Sequence, residues 1–147
     1  KREFHYIFNP KFQYPGIPKI NRYRLKKNQN ITIDGIDIEP IEVMHYKLPV
    51  LGFKIDGFAY ITDAKTIEDS QRKKLKNLDI LVINALRIKE HMSHFNLEEA
   101  IDLINELKPK KAILTHISHF MGIHQEVQKK LPPNIYLAYD GLKINLT

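Results

Sequence analysis

Ala112-Ile113-Leu114-Thr115-His116-Ile117-Ser118-His119 is the stretch on which the reading of this chain turns. Lys111–Thr115 has the apolar character of a buried strand. It runs directly into a loop bearing two histidines three residues apart. Neutral imidazole is the commonest metal ligand, and a strand end holds it rigidly. The stretch gains its force from His45, Asp63 and His94 upstream and from Tyr139-Asp140-Gly141 downstream.

Working outward, Ile80-Leu81-Val82-Ile83 is a second apolar run of buried-strand type. Between the two runs, Asn96 caps a helix with Glu99 at the capping-box position, and Leu97, Ala100, Ile101, Ile104 and Leu107 form its apolar stripe before Pro109. Upstream, Ile31–Ile33 and Ile36–Ile38 flank Asp34-Gly35, and Ile41–Val43 continues the second strand towards His45. Leu51–Ile55 and Phe58–Thr62 flank Asp56-Gly57. Both Asp-Gly pairs are strong hairpin dipeptides. His45 precedes a turn bounded by Pro49. Residues 66–77 read as a polar helix with Thr66 as N-cap, acids in the first turn and lysines in the last. Downstream, a helix near 123–131 stops at Pro132-Pro133, and Ile135–Ala138 and Leu142–Leu146 read as a final strand pair around Asp140-Gly141. Residues 1–30 form a loop-rich arm in which Pro10, Pro15, Gly16 and Pro18 alternate with Phe4, Tyr6, Phe8, Phe12 and Tyr14. The whole is α/β: hairpins, then β-α units, giving a mixed sheet with helices on one face of a single domain over 1–147.

Composition narrows the chemistry. The 147 residues are 43% hydrophobic, enough for a globular core. There is no cysteine, which removes disulfides, thiol nucleophiles and Cys-type zinc sites. Any metal must therefore use imidazole and carboxylate ligands, which suit zinc, manganese or iron. No apolar run reaches the length of a membrane span, and the N-terminus lacks an apolar signal region. A cytoplasmic location and no membrane partner are expected. Net charge is +6 with a pI of about 9.4, which suits anionic partners such as phosphate esters or nucleic acid, but the lysines are scattered without an aromatic-interleaved stripe, and a solvated basic surface is the reading they favour. The chain does not begin with Met and reads as an excised piece.

His45, Asp63 and His116 all lie just past the C-terminal ends of strands, where α/β sheets gather their sites. A carboxylate between imidazoles can bridge two metal ions, and such a pair polarises a phosphoryl oxygen and generates hydroxide near neutral pH. Each residue taken alone reads rather as an ordinary polar loop residue; taken together, each at a strand end, they read as a site. His94, two before the Asn96 cap, is placed to act as general acid or to hold a phosphate oxygen. His91 sits in a less defined segment. His119 and His124 read as groups behind the ligands or as helix-start residues, and His5 carries no argument. Asp140 is a turn residue or a carboxylate orienting a metal-bound histidine. Arg87 is a surface residue or a bidentate phosphate partner. The chain has no P-loop, no G-x-G-x-x-G and no G-x-S-x-G.

In this order the residues resemble the second half of a metallo-β-lactamase-fold hydrolase, over roughly residues 31–146. The nearest branch is that of phosphodiesterases similar to phosphoribosyl cyclic phosphate phosphodiesterase, with ribonuclease Z a more distant likeness. The resemblance rests on His45 followed by Gly52-Phe53, on Tyr60-Ile61-Thr62-Asp63, on Ser93 to Ala100, on Leu114–His119 and on Tyr139-Asp140-Gly141. It implies a four-layer αββα sandwich, of which this chain carries mainly the second sheet with its helices. It implies two divalent ions, manganese or zinc, with iron as an alternative. His45 would be a ligand of the first ion, Asp63 the bridge and His116 a ligand of the second, with His94 facing the scissile phosphate. Asp140 would be structural or stand behind the ligands, and the role of His119 is open.

The family's H-x-H-x-D-H signature is absent, and the chain has no H-x-H at all. The expectation is therefore a C-terminal fragment, 1–30 an arm and 31–147 a β/α half, that binds metal weakly, is inactive alone and self-associates through its uncovered sheet face. The parent is expected to be a metal-dependent phosphodiesterase on a small or cyclic phosphodiester. The alternatives are an RNA 3′-end nuclease of the ribonuclease Z kind, with nucleic acid the less favoured partner, and a non-catalytic binding module.

Overall fold

The computed structural model describes residues 3–9, 11 and 15–146. Pro10, Phe12 and Tyr14 of the arm lie outside the described residues. The arm includes one helical turn, α1 (His5–Phe8), and its described residues from 15 to 30 form turns and irregular chain. Seven strands follow: β1 (Ile31–Ile33), β2 (Ile36–His45), β3 (Leu48–Ile55), β4 (Phe58–Ile61), β5 (Ile80–Asn84), β6 (Lys111–Thr115) and β7 (Ile135–Leu137). They form one sheet in chain order. β1 to β4 are antiparallel, and β4 to β7 are parallel.

The parallel half needs crossovers, and these carry α2 (Asp69–Arg72), α3 (Leu97–Leu107) and α4 (His124–Gln128). Right-handed crossovers that always advance in one direction place their helices on one face. That face holds the core: Ile41, Val43, Ala59, Ile61, Leu81, Ile83, Ala112 and Leu114 meet Leu75, Ala100, Ile104 and Leu107. The capping box of α3 is formed as expected: Asn96 Oδ1 accepts from the Glu99 N–H at 2.8 Å, and Glu99 Oε2 accepts from the Asn96 N–H at 2.9 Å. It contributes about 1 kcal/mol, while burial of Leu103, Ile104 and Leu107 contributes about 1.5–3 kcal/mol for each side chain.

The two Asp-Gly hairpins pair in the expected registers, Ile33 with Ile36 and Ile55 with Phe58. A third hairpin was not legible. Where a Pro49-bounded turn was expected, β3 begins at Leu48 and Pro49 lies inside it, opposite Met44. Pro40 likewise lies inside β2, opposite Phe53. Along β2, Met44 and Glu42 turn their N–H groups away from β3, to Thr66 O and Gln71 Oε1. Pro40 is in phase with them, so its missing donor costs the β2–β3 ladder nothing.

Two other expectations are corrected. Thr66 does not cap a helix over 66–77. It forms an antiparallel bridge with Met44, and only one α-turn (Asp69–Arg72) and one 3-10 turn (Lys73–Leu75) follow. The free outer edge of β2 captures the backbone before a helix can start. Leu142–Leu146 is not a strand. After the turn at Asp140-Gly141 it lies against the sheet face away from the helices, where Leu142, Ile144 and Leu146 line a cavity with Tyr60, Val82 and Ile113. On that face, register aligns Phe53, Tyr60, Val82, Ile113 and Tyr136 across five strands. Among the described residues no helix is long and apolar enough to cross a membrane.

Candidate metal centre

The parallel strands β4, β5 and β6 end level with one another, so the loops that leave them emerge side by side. Backbone hydrogen bonds lace those loops together. Phe95 N–H donates to Ala64 O, Leu86 N–H to Phe95 O and Ser118 N–H to Leu86 O, each at 2.8–2.9 Å. Asn84, fully buried at the end of β5, binds Ala64 twice. Its Oδ1 accepts from Ala64 N–H at 2.9 Å and its Nδ2 donates to Ala64 O at 3.0 Å. The carboxylate of Asp63 is thereby fixed from the residue next to it.

Asp63 and His116 both have left-handed backbone, with φ of 56° and 57°. Asp and His reach this region more readily than most residues, at a cost of about 1–2 kcal/mol. Each thus turns its side chain sharply off the strand it has just left.

The side chains converge. Asp63 Oδ1 lies 3.1 Å from His94 Nε2 and 3.5 Å from His116 Nε2. The His94 ring stacks on that of His116 at 4.8 Å and 12°, and meets His45 edge-on at 4.6 Å. Donor atoms of His45, Asp63 and His94 all lie within 4.8 Å of one another. Burial alone would raise the Asp63 carboxyl, but the His94 hydrogen bond, the charge of His116 and a hydrogen bond from Thr62 outweigh it and hold the pKa below the ordinary value. His94 is lowered, chiefly by burial and then by its neighbours His116 and His45, against the opposing pull of Asp63. A carboxylate beside a neutral His94 is the protonation state in which such a pair binds a divalent cation.

The hydrogen bonds behind His94 fit that use. Ser93 N–H donates to His91 Nδ1 at 3.3 Å, which makes this nitrogen an acceptor. His94 Nδ1 faces it at 3.3 Å, and also faces Ser93 Oγ at 3.0 Å. A proton on His94 Nδ1 satisfies His91 and turns a bare Nε2 lone pair towards Asp63. Two acceptors then face one another across 3.1 Å, an arrangement that either a cation or a second proton on Nε2, donated to Asp63, resolves. Zinc, manganese and iron all accept this imidazole-carboxylate donor set.

Of the residues singled out in the sequence, His45, Asp63, His94 and His116 are brought together. The others are engaged elsewhere. Arg87 donates to the carbonyls of Lys89 and Glu90 at 3.2 and 2.7 Å and organises its own loop. The His119 ring packs on Phe120 at 3.9 Å, and Asp140 is exposed in the turn closed by Leu142 N–H and Tyr139 O. His124 lies edge-on to Tyr139 at 6.3 Å, and His5 edge-on to Tyr6 at 6.3 Å. The sequence reading gave His91 too little weight and missed Ser93 and Asn84. The signal for Asn84 was present: a polar residue directly continues the apolar run of β5.

Comparison with known proteins agrees with this picture. The beta-lactamase superfamily domain matches residues 1–117. A protein of Porphyromonas gingivalis named octanoyltransferase is 40% identical over 140 residues, which are 95% of this chain and 28% of that protein. Among solved structures, a diphosphatase of the PhnP family superposes with a TM-score of 0.82 at 35% identity, covering 85% of this chain and 49% of its own. The short form of human tRNase Z superposes with a TM-score of 0.60 at 18% identity, over 80% of this chain and 46% of its own, a likeness of fold alone. The chain thus spans about half the length of the diphosphatase, and a smaller part of the octanoyltransferase.

Proposed function

The chain belongs to the beta-lactamase superfamily, a family of hydrolases, and on that premise we propose that it is the part of a metal-dependent phosphodiesterase that binds both ions and acts on a small or cyclic phosphodiester. The observation that carries this reading is the position of Asp63 Oδ1, 3.1 Å from His94 Nε2 and 3.5 Å from His116 Nε2, where the loops that leave β4, β5 and β6 meet. In the proposal His45 and Asp63 would hold one divalent ion, and Asp63 and His116 the second. Ions so held supply charge stabilisation for a phosphoryl group and lower the pKa of water. His94 stands beside the Asp63 carboxylate and, when doubly protonated, would deliver its Nε2 proton to the leaving oxygen and return to the neutral ring protonated on Nδ1. Ser93 and His91 keep its ring in place from the Nδ1 side. Two ligands for each ion fall short of the usual three or four, so the proposal assigns the remaining donors to protein outside this chain. The acyl transfer named for the P. gingivalis relative is that protein's own, of which the match covers 28%.

The test is hydrolysis of bis(p-nitrophenyl) phosphate by the full-length gene product with added manganese or zinc. Turnover that a chelator abolishes, and that His116→Ala lowers at least about a hundredfold, is expected. Undiminished activity in His116→Ala would sink the two-ion reading.

One observation favours a second reading, a nuclease. Residues 1–30 contain eight Lys and Arg against the single acid Glu3, while the rest of the chain has fifteen against sixteen. The net positive charge therefore belongs to the arm. RNA binding that weakens steeply with salt, and that is lost with the arm, would support it.

A further inference from the structure

The hairpin tip next to His45 is built at a cost that its sequence could have avoided. β2 and β3 are joined by two residues, Tyr46 and Lys47, between the paired His45 and Leu48. Tyr46 has φ of 57°, and Lys47 is not among the positive-φ residues. A positive φ at the first central position of a two-residue hairpin is where glycine normally stands. The other two hairpins of this sheet place Asp there, followed by Gly. A bulky aromatic in left-handed backbone costs about 1–2 kcal/mol and persists where its side chain has a use.

The surroundings indicate the use. Tyr46, Leu48 and Met92 are 51%, 60% and 63% exposed, although each is large and apolar or aromatic. Together with His45, Lys47 and Ser93 they line an open cavity of about 440 Å³. Lys47 Nζ stands 5.3 Å from the Tyr46 ring centre and is the cation of this rim. The cavity thus shares His45 with the metal centre and continues away from it as an apolar shelf. A phosphate held at the centre would place its organic substituent on that shelf.

We propose that the Tyr46–Leu48–Met92 shelf is a binding subsite for a planar heterocycle, a nucleobase or a ring of similar size, carried by the phosphate ester bound at the metal centre. This rests on the phosphoester reading given above and names its substrate class. Base-on-aromatic stacking is insensitive to base identity, so the shelf selects for a flat ring and not for one sequence or base. Lys47 adds attraction for the ester's negative charge at the same rim.

The test uses the full-length gene product loaded with manganese and two probes with the same phosphate, adenosine 5′-monophosphate and ribose 5-phosphate, titrated by calorimetry. The expected result is adenosine monophosphate binding about tenfold tighter than ribose phosphate. Tyr46→Gly is the decisive variant, because glycine accepts the backbone of the tip and removes only the ring. It should bring the two affinities within about twofold of each other and leave ribose phosphate binding unchanged. Equal affinities in the unaltered protein, or a preference that survives in Tyr46→Gly, would overturn the proposal, as would no binding of either probe. A protein that does not hydrolyse bis(p-nitrophenyl) phosphate but keeps a ring preference dependent on Tyr46 would lose the phosphodiesterase reading and keep the shelf.

Discussion

Asn84 closes both ends of its side-chain amide on the backbone of Ala64, with Oδ1 on the N–H at 2.9 Å and Nδ2 on the carbonyl at 3.0 Å. The same Ala64 carbonyl receives Phe95 N–H at 2.8 Å. One buried side chain therefore ties the end of β5 to the Asp63 loop and, through it, to the loop of His94. Replacing Asn84 with Leu leaves the Ala64 N–H without its partner inside the core. Such a loss costs about 1–3 kcal/mol, and displaced support behind a ligand typically weakens metal binding about 10–100-fold. Denaturant unfolding and a zinc titration of Asn84→Leu should show both effects together.

Metal should stabilise the fold through Asp63. The full-length protein should melt higher with zinc or manganese than with chelator, by about 2.7 kcal/mol of added stability when the ion is at a hundred times its Kd. Asp63→Asn removes the charge that both His94 and His116 face. The variant should fold, lose most of the metal-dependent rise and bind the ion at least about tenfold more weakly. An unchanged rise in melting temperature in Asp63→Asn would remove this carboxylate from the metal centre.

Away from the site, Glu39 sets a pH dependence. It faces Lys54 at 3.2 Å across the β2–β3 pair and Lys74 at 3.0 Å from the neighbouring 3-10 turn. Burial would raise its pKa, but the hydrogen bonds and charges of the two lysines more than offset this and leave it below 4.5. A carboxyl lowered in the folded state stabilises that state fully above its unfolded value, and the contribution is lost as pH falls through the folded value. Glu39→Gln should therefore cost up to about 1 kcal/mol near pH 7. The gap to the unaltered protein should narrow as pH falls below the ordinary glutamate range and through the lowered folded value. Urea midpoints measured between pH 3 and pH 7 would check it.

At Gly52, β3 leaves no room for a side chain against β4. A Cβ there would sit 2.8 Å from Ile61 Cγ1 and 3.0 Å from the Tyr60 carbonyl oxygen. Gly52→Ala should destabilise by about 1–3 kcal/mol, because the Ile61 side chain can turn away only by disturbing the core and the carbonyl cannot move alone. Thermal unfolding of the variant measures this directly.

Much of the sheet was legible because its signals are local. The Asp-Gly pairs announce two hairpins, Asn96 with Glu99 announces α3, and the apolar run of β6 leads directly into the candidate ligand His116. His45, Asp63 and His116 could be read as a set because each stands at the end of such a run. What was not legible depends on distant partners. Thr66 pairs with Met44, so a helical pattern gave way to a bridge. Tyr46-Lys47 carries no turn chemistry, so the third hairpin had no local announcement. Leu142–Leu146 has the composition of a strand but meets the sheet through its side chains, not its ladder. His91 and Ser93 gain meaning only when His94 turns Nδ1 towards them.

The strand order, β1 through β7 without interruption, bears on how the chain is made. Every strand bonds to the one synthesised just before it, and none must wait for a later segment to arrive between two neighbours. The sheet can therefore be assembled as it emerges from the ribosome, each new strand docking on the edge left by the last, with its crossover helix sealing the core behind it. His45 is made before Asp63 and Asp63 before His116, so the candidate ligands enter the site one at a time. A stalled or truncated chain would lose its later ligands while keeping the sheet already laid down.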